Sequence, residues 1–300
     1  MHENHSQTKK AVALSVFAFS LFSISDAMRK YVAIEYEIVD ILFWQAVWGI
    51  LIIFLISPFV GGKNAFFNVK TIKWQLLHGF FMMMNTTLSL IAISHIPIVD
   101  AYTIFFLIPF VVSLMGALFF KEVIGKFRLF SILCGFIGAF TAFRPGFESI
   151  SPSYLYAITC VFTFSSASII ARYIGRDSGV LSYAFWPFLY LVVAITIYKG
   201  GVIPLDFPSD FFALAFVMGA FYGAAVIIIS YAYTLAPVAV VAPYQYTQII
   251  FALGFGYFLF GNIPDFFKIV GASIIVGAGI MLYARERINE KRNSKIIEPL

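Results

Sequence analysis

Asp26 stands three and four residues before Arg29 and Lys30, so on a helix the carboxylate and both cations share a face. The residues on either side are apolar enough for lipid. A carboxylate or a cation at membrane depth costs about 2.5–3.5 kcal/mol on insertion scales unless a partner or a wet cavity meets it. Two readings follow for Asp26. It is either one half of a salt bridge near an interface, with the long basic side chains reaching out to water, or a site for a solute or a proton.

Asp100 opens a second such stretch, which runs on through Tyr102, Phe105, Phe106 and Pro109. An Asp in the first turn can simply complement the helix dipole. The aromatic stripe that follows at i, i+3, i+4 and i+7 spacing is the pattern of a packed helix face. The proline within it argues for a protein-lined cavity, since a helix breaker is tolerated in lipid only where its freed backbone groups are met. A third stretch repeats this plan with Tyr244, Gln245, Tyr246 and Gln248, of which Tyr244 and Gln248 are four apart and share an α-helical face. These amides either bond across helices, at about 1 kcal/mol each, or contact a solute. Asn85 is the candidate in the polar cluster Asn85-Thr86-Thr87, because membrane threonines commonly bond back to their own backbone. Trp44 and Trp186 are either interfacial anchors or walls of a pocket.

Other chemistries have no foothold. There is no phosphate-binding glycine loop, no Gly-x-Ser-x-Gly elbow and no His/Cys ligand cluster. His78 and His95 are isolated, and Cys134 and Cys160 lie inside apolar runs. The expectation is no catalytic residue, no bound metal and no cofactor, and hence no enzyme.

The elements that position these residues are membrane spans. The chain is 61% hydrophobic and only 12% charged, where soluble proteins carry roughly a quarter of charged residues. Its mean hydropathy is +0.92. The basic balance, with a pI of about 9.1, does not indicate nucleic acid, because the basic residues are scattered between apolar runs. With about 20 apolar residues per crossing, ten candidate spans appear: 11–32, 38–60, 74–95, 97–120, 127–144, 153–174, 181–199, 210–234, 238–260 and 267–285. Slight turns ending in Pro97 and Pro237 separate the third from the fourth and the eighth from the ninth. If both termini are cytoplasmic, fifteen of the 20 Lys and Arg residues fall on that side. Arg29, Lys30, Arg144, Lys199 and Lys268 fall outside, a positive-inside distribution.

The chain also repeats itself. A shift of 142 pairs Tyr31 with Tyr173 and Phe43-Trp44 with Phe185-Trp186. Past the second span a shift of 140 pairs Gly79 with Gly219, Pro97 with Pro237 and Phe120 with Phe260. Five spans per copy is an odd number, so the second copy enters the membrane from the opposite side. Inverted repeats of this kind place a solute site near the midplane, between the halves. The fold class expected is an all-α integral membrane protein of ten transmembrane helices arranged as two inverted five-helix repeats. The repeats occupy 11–146 and 151–285, between a cytoplasmic tail at 1–10 and a basic one at 286–300.

Ten spans in two halves, with Phe-Phe-Lys-Glu at 119–122 closing the fourth, resemble the EamA branch of the drug/metabolite transporter superfamily over roughly residues 11 to 285. Within that branch, Ser25-Asp26-Ala27-Met28-Arg29-Lys30-Tyr31 and Ala242-Pro243-Tyr244-Gln245-Tyr246 look most like the rickettsial-type S-adenosylmethionine carriers. Gln45 stands where many relatives have arginine, and Gly261-Asn262 where they usually have an acidic residue. The resemblance implies a secondary, non-ATP carrier of the inner membrane that moves a small organic solute by alternating access. It also implies a cavity lined by the first to fourth and sixth to ninth spans, with the fifth and tenth peripheral. The partners expected are the solute and the lipid bilayer, with no nucleic acid. The substrate-site expectation comprises Asp26, Trp44, Asn85, Asp100, Tyr102, Phe106, Trp186, Tyr244, Gln245 and Gln248.

Overall fold

The computed structural model describes residues 2–59, 66, 70–120, 126–143, 151–174, 179–203, 205–235 and 241–296. Its helices are α1 (His2–Val32), α2 (Ile38–Ile56), α3 (Ile72–His95), α4 (Ile98–Phe105), α5 (Ile108–Phe120), α6 (Lys126–Phe143), α7 (Ser153–Ile174), α8 (Ser182–Tyr198) and α9 (Ser209–Leu235). A 3₁₀ helix (Ala242–Thr247), α10 (Gln248–Phe258) and α11 (Phe266–Ile296) complete the order. There is no strand among the described residues. Lipid offers the backbone no hydrogen-bond partners, so apolar segments must satisfy their own amides, and helices do so.

Six helical stretches are long and apolar enough to cross a membrane: Lys9–Val32, Ile38–Phe59, Ile72–His95, Ile98–Phe120, Ser153–Ile174 and Ser209–Ile229. Leu129–Ala142, Ser182–Tyr198 and Phe266–Met281 are shorter apolar helices. Leu118, Phe119, Ile197 and Phe258 are among the large side chains left exposed on the bundle's exterior, as a lipid-facing surface requires. The protein is a multi-pass membrane protein, and its regular secondary structure among the described residues is helical.

Two spans expected to be continuous helices are broken. Pro109 has no N–H for the Phe105 carbonyl, so the helix entered at Ile98 ends there and restarts at Ile108. Across the break, the Leu107 amide falls back to the Ile104 carbonyl at 2.9 Å, a 3₁₀-type bond. In the second half, the stretch expected at 238–260 begins its described part as 3₁₀ helix before α10 takes over. The helix also runs on through both stretches read as tails, from His2 and to Ile296. The turn Leu235-Ala236-Pro237 lies partly outside the described residues, as does Glu122.

Packing has an exchange symmetry. α1 lies against α9 and α3 against α7; α2 lies against α9 and α3 against α8; α7 touches α4, and α1 touches α10. Substituting each helix by its counterpart five spans away turns one member of each pair into the other. α6 and α11 pack on each other at a glycine crossing, where a Cβ built on Gly271 would stand 2.5 Å from the Gly138 carbonyl oxygen. α9 approaches α2 through Gly219, whose added Cβ would meet the Gln45 carbonyl at 2.7 Å. Small residues let membrane helices make such backbone-to-backbone contact.

Candidate functional site

In the C-terminal half of α1, Phe19 and Phe22, one turn apart, give way to Asp26 and Arg29. Together they form one wall of a cavity of about 70 Å³. α3 contributes Met82, Asn85 and Ser89; α4 and α5 contribute Tyr102, Phe105 and Ile108. Phe164 of α7, Tyr222 of α9, Gln245 and Gln248 close the far side. The break before Pro109 turns Tyr102 and Phe105 inward, and the 3₁₀ winding, with three residues per turn, stacks Gln245 above Gln248.

The polar core of the cavity is a chain of contacts. Arg29 Nη2 donates to Asp26 Oδ1, forming an ion pair between residues three apart on α1. The Tyr102 hydroxyl donates to the other carboxylate oxygen at 2.7 Å. The guanidinium lies 5.2 Å from the Tyr222 ring centroid, a cation–π distance. The Tyr222 hydroxyl shares a 2.9 Å hydrogen bond with Thr86. Asn85 donates across the halves to the Cys160 carbonyl at 3.1 Å, and Gln248 donates to the Phe19 carbonyl at 3.4 Å. Arg29 is 1% exposed and Asp26 8%. The pair therefore sits inside protein rather than at an interface, where the snorkelling reading placed it. Lys30 parts company with it and caps the last carbonyls of α3, donating to Ile93 and, at 2.9 Å, to Ile96.

Of the expected site residues, Asp26, Asn85, Tyr102, Gln245 and Gln248 line the cavity. The other five lie elsewhere. Phe106 is fully buried behind it, 5.5 Å from the Tyr246 ring. Tyr244 packs beside the small cluster around Phe19 and Val241, because the 3₁₀ helix removes the four-residue spacing that would have aligned it with Gln248. Trp44 stacks edge-on against Phe212 at 4.8 Å. The Trp186 Cβ fills the space over Gly79. Thus α2 and α8, expected among the cavity's walls, contribute none of the lining side chains. Arg29 and Tyr222 line it without having been singled out as site residues. The only signal for Arg29 was its three-residue spacing from Asp26; for Tyr222, one aromatic among many, there was none.

Asp100 belongs to a different constellation, at the distal end of the bundle where α1 finishes. It is 2% exposed, accepts from the Tyr154 hydroxyl at 2.6 Å and pairs with Lys268 at 3.0 Å. At the same end, Asp40 of α2 pairs with Lys199. Lys199 is placed by its helix terminus. It is the cap of α8, and the left-handed glycines after it (Gly200 φ 65°, Gly201 φ 85°) return their amides to Ile197 and Thr196 at 3.0 and 2.8 Å. That arrangement ties off the helix's free carbonyls. The hydrogen bond to Asp40, against the opposing effect of burial, and the charges of Asp40 and Glu37 raise the Lys199 ammonium above its ordinary 10.5. Both ion pairs join an Asp of the first half to a Lys of the second.

Comparison with known proteins places this architecture. Over 290 residues the chain is 24% identical to the S-adenosylmethionine uptake transporter of Rickettsia bellii, covering 94% of this chain and 97% of that one. It is 25% identical to the pseudopaline exporter of Pseudomonas aeruginosa, over 91% and 96% of the respective chains. A riboflavin transporter of Brucella anthropi is 24% identical over 65% of this chain and 70% of its own. A solved crystal structure covering 94% of this chain and 99% of its own superposes with a TM-score of 0.66 at 14% identity, a likeness of fold. The sequence profile of the EamA-like transporter family matches twice in tandem, over residues 9–144 and 151–284. Two successive matches that together span nearly the whole chain settle the affiliation: the protein belongs to the EamA-like transporter family.

Proposed function

We propose that the protein is a secondary carrier of the bacterial inner membrane, with both termini cytoplasmic. In this reading, ten spans form two inverted five-helix units, residues 11–146 and 151–285. The units rock against each other to carry a small organic metabolite by alternating access. The observation that carries the reading is the cavity itself: both halves supply its wall, and a buried Asp26–Arg29 pair ringed by tyrosine and phenylalanine forms its centre. The exchange symmetry of the packing supports two related halves, and an odd number of spans in each sets the second in the opposite sense. The fifteen-to-five distribution of basic residues supports the orientation.

S-adenosylmethionine, or a related amphipathic cation or zwitterion, suits the site. Its charged groups match the Asp26–Arg29 pair, and its flat base matches the aromatic walls. The rickettsial relatives support uptake of that solute, and the pseudomonad relative supports export of a different one. At about 70 Å³ the cavity is far smaller than the roughly 300–1,000 Å³ of pockets that enclose small organic ligands, so admitting a metabolite requires the halves to separate. Asp40–Lys199 and Asp100–Lys268 link those halves at the distal end and must part for that end to open.

The test is flux of radiolabelled S-adenosylmethionine into proteoliposomes, alone and against internal unlabelled solute, for wild type and Asp26→Asn. Saturable uptake that falls at least tenfold in the variant is the expected result. Uptake no faster than in protein-free vesicles, for this solute and for a broad metabolite panel, rejects the reading.

A further inference from the structure

Arg29 has more donors than the protein supplies with acceptors. Its Nη2 meets Asp26, while Nε and Nη1 are buried with no acceptor. A guanidinium carries five N–H groups, and three of them are on those two nitrogens. Each buried donor left without a partner costs about 1–3 kcal/mol, more when charged, so these donors call for an acceptor that the protein's own groups do not supply. Asp26 does not answer it as placed: Oδ1 accepts from Nη2 and Oδ2 from the Tyr102 hydroxyl, and neither oxygen is within bonding reach of Nε or Nη1.

We infer that Arg29 receives the carboxylate of the transported solute, and that the solute class is therefore amino carboxylates, not amines lacking the acid group. This inference rests on the transport reading above. An anion is the natural complement of a charged donor set, and guanidinium–carboxylate bonds are among the stronger hydrogen bonds in proteins. Charge balance selects the carboxylate zwitterion among anions. Asp26 and Arg29 are the ionised side chains in the lining and cancel each other. A zwitterion keeps that balance, whereas a phosphate dianion adds net negative charge beside the buried Asp26. The cationic part of such a solute finds the aromatic rings of Phe22 and Phe164, which line the same cavity. Asp26 then acts as a positioning residue. It fixes one end of the guanidinium, so the remaining N–H groups keep one orientation as the solute arrives.

The test pairs each amino carboxylate with its decarboxylated amine: S-adenosylmethionine, methionine, lysine and tyrosine against the four corresponding amines. Uptake and competition are measured in proteoliposomes of the full chain. The expected result is that at least one acid is transported, and that its amine neither moves nor competes within tenfold of it. In Arg29→Gln the preference for the acid collapses, and in Arg29→Lys it survives with a raised KM. Because the acid-to-amine ratio is read on wild type, a variant that fails to fold does not blunt the test. Equal handling of acid and amine by the wild type overturns the inference while leaving transport intact. Movement of neither set, with the broader metabolite panel also inert, overturns the transport reading and the inference with it.

Discussion

Replacing Lys268 with methionine removes the cation from an ion pair that joins the two halves and leaves Asp100 with 2% of its side chain exposed. Cutting one partner from a fully buried pair costs about 3–5 kcal/mol. Here Lys268 keeps 20% of its side-chain exposure, and the Tyr154 hydroxyl still serves the carboxylate at 2.6 Å. Discounting for solvent screening leaves about 1–3 kcal/mol. If the pair forms only when the distal end is closed, that energy comes out of the closed state, and the open-to-closed ratio rises by about 5–150-fold. Ser89 lines the cavity and reports the change as a single Ser89→Cys reporter, with Cys134 and Cys160 replaced by alanine. A membrane-impermeant maleimide is applied to intact cells and to inverted vesicles. Labelling accelerates from one side only in Lys268→Met, and the charge-reversed pair Asp100→Lys/Lys268→Asp returns it toward the wild-type rate. Rates unaltered from both sides in Lys268→Met, in protein that still folds, refute the latch.

Three further outcomes follow from the same geometry. Gly271→Leu forces a side chain into the Gly138 carbonyl, with 2.5 Å available to its Cβ. Detergent thermal unfolding should show a loss of at least about 1–3 kcal/mol, while Gly254→Leu, whose Cβ meets nothing within 4 Å, stays near wild type. Tyr246→Phe removes a buried hydroxyl that has no hydrogen-bond partner, so the variant should be as stable as the wild type or more so, by about 1 kcal/mol in the same assay. The raised Lys199 ammonium fixes the sign of a pH effect. Its pairing with Asp40 contributes fully below the ordinary value of 10.5 and fades as pH climbs through the higher folded value. The stability gap between wild type and Lys199→Met should therefore be level from about pH 6 to 9 and close at more alkaline pH.

Six spans were legible because lipid imposes one coarse rule, about 20 apolar residues per crossing, and those six helices are long and apolar enough to meet it. Asp26, Asn85 and Gln248 stood out because polar groups at that depth need a reason. The side chains beside them could not be sorted by the same logic. Tyr244 and Gln245 differ in which one faces the cavity only because the backbone there winds with three residues per turn, and local composition did not announce this. Phe164 and Tyr222 are lost among 36 phenylalanines and 16 tyrosines, where ring identity carries no positional information. One of the two readings of Asp26 had Arg29 reaching to water. Its length permits that, and only the tertiary neighbours that cover it to 1% exposure decide otherwise. Asp100 was open to a helix-dipole role or a place in the site; two residues before Tyr102 on a helix, it stands about 200° away from it and meets Tyr154 and Lys268 instead.

The interruption at Phe106–Leu107 has a mechanical consequence. A rod that crosses the bilayer unbroken must swing as a whole, and any tilt at one mouth is paid for at the other. Divided before Pro109, the span becomes an eight-residue lever, Ile98–Phe105, joined by a compliant elbow to a longer stem. The lever carries Asp100 near its tip and Tyr102 near its fulcrum, so a swing that frees the tip from Lys268 also turns the tyrosine away from Asp26. In the carrier reading proposed above, the stem can stay seated while this happens, and opening the mouth and loosening the grip on cargo become one motion of a short arm.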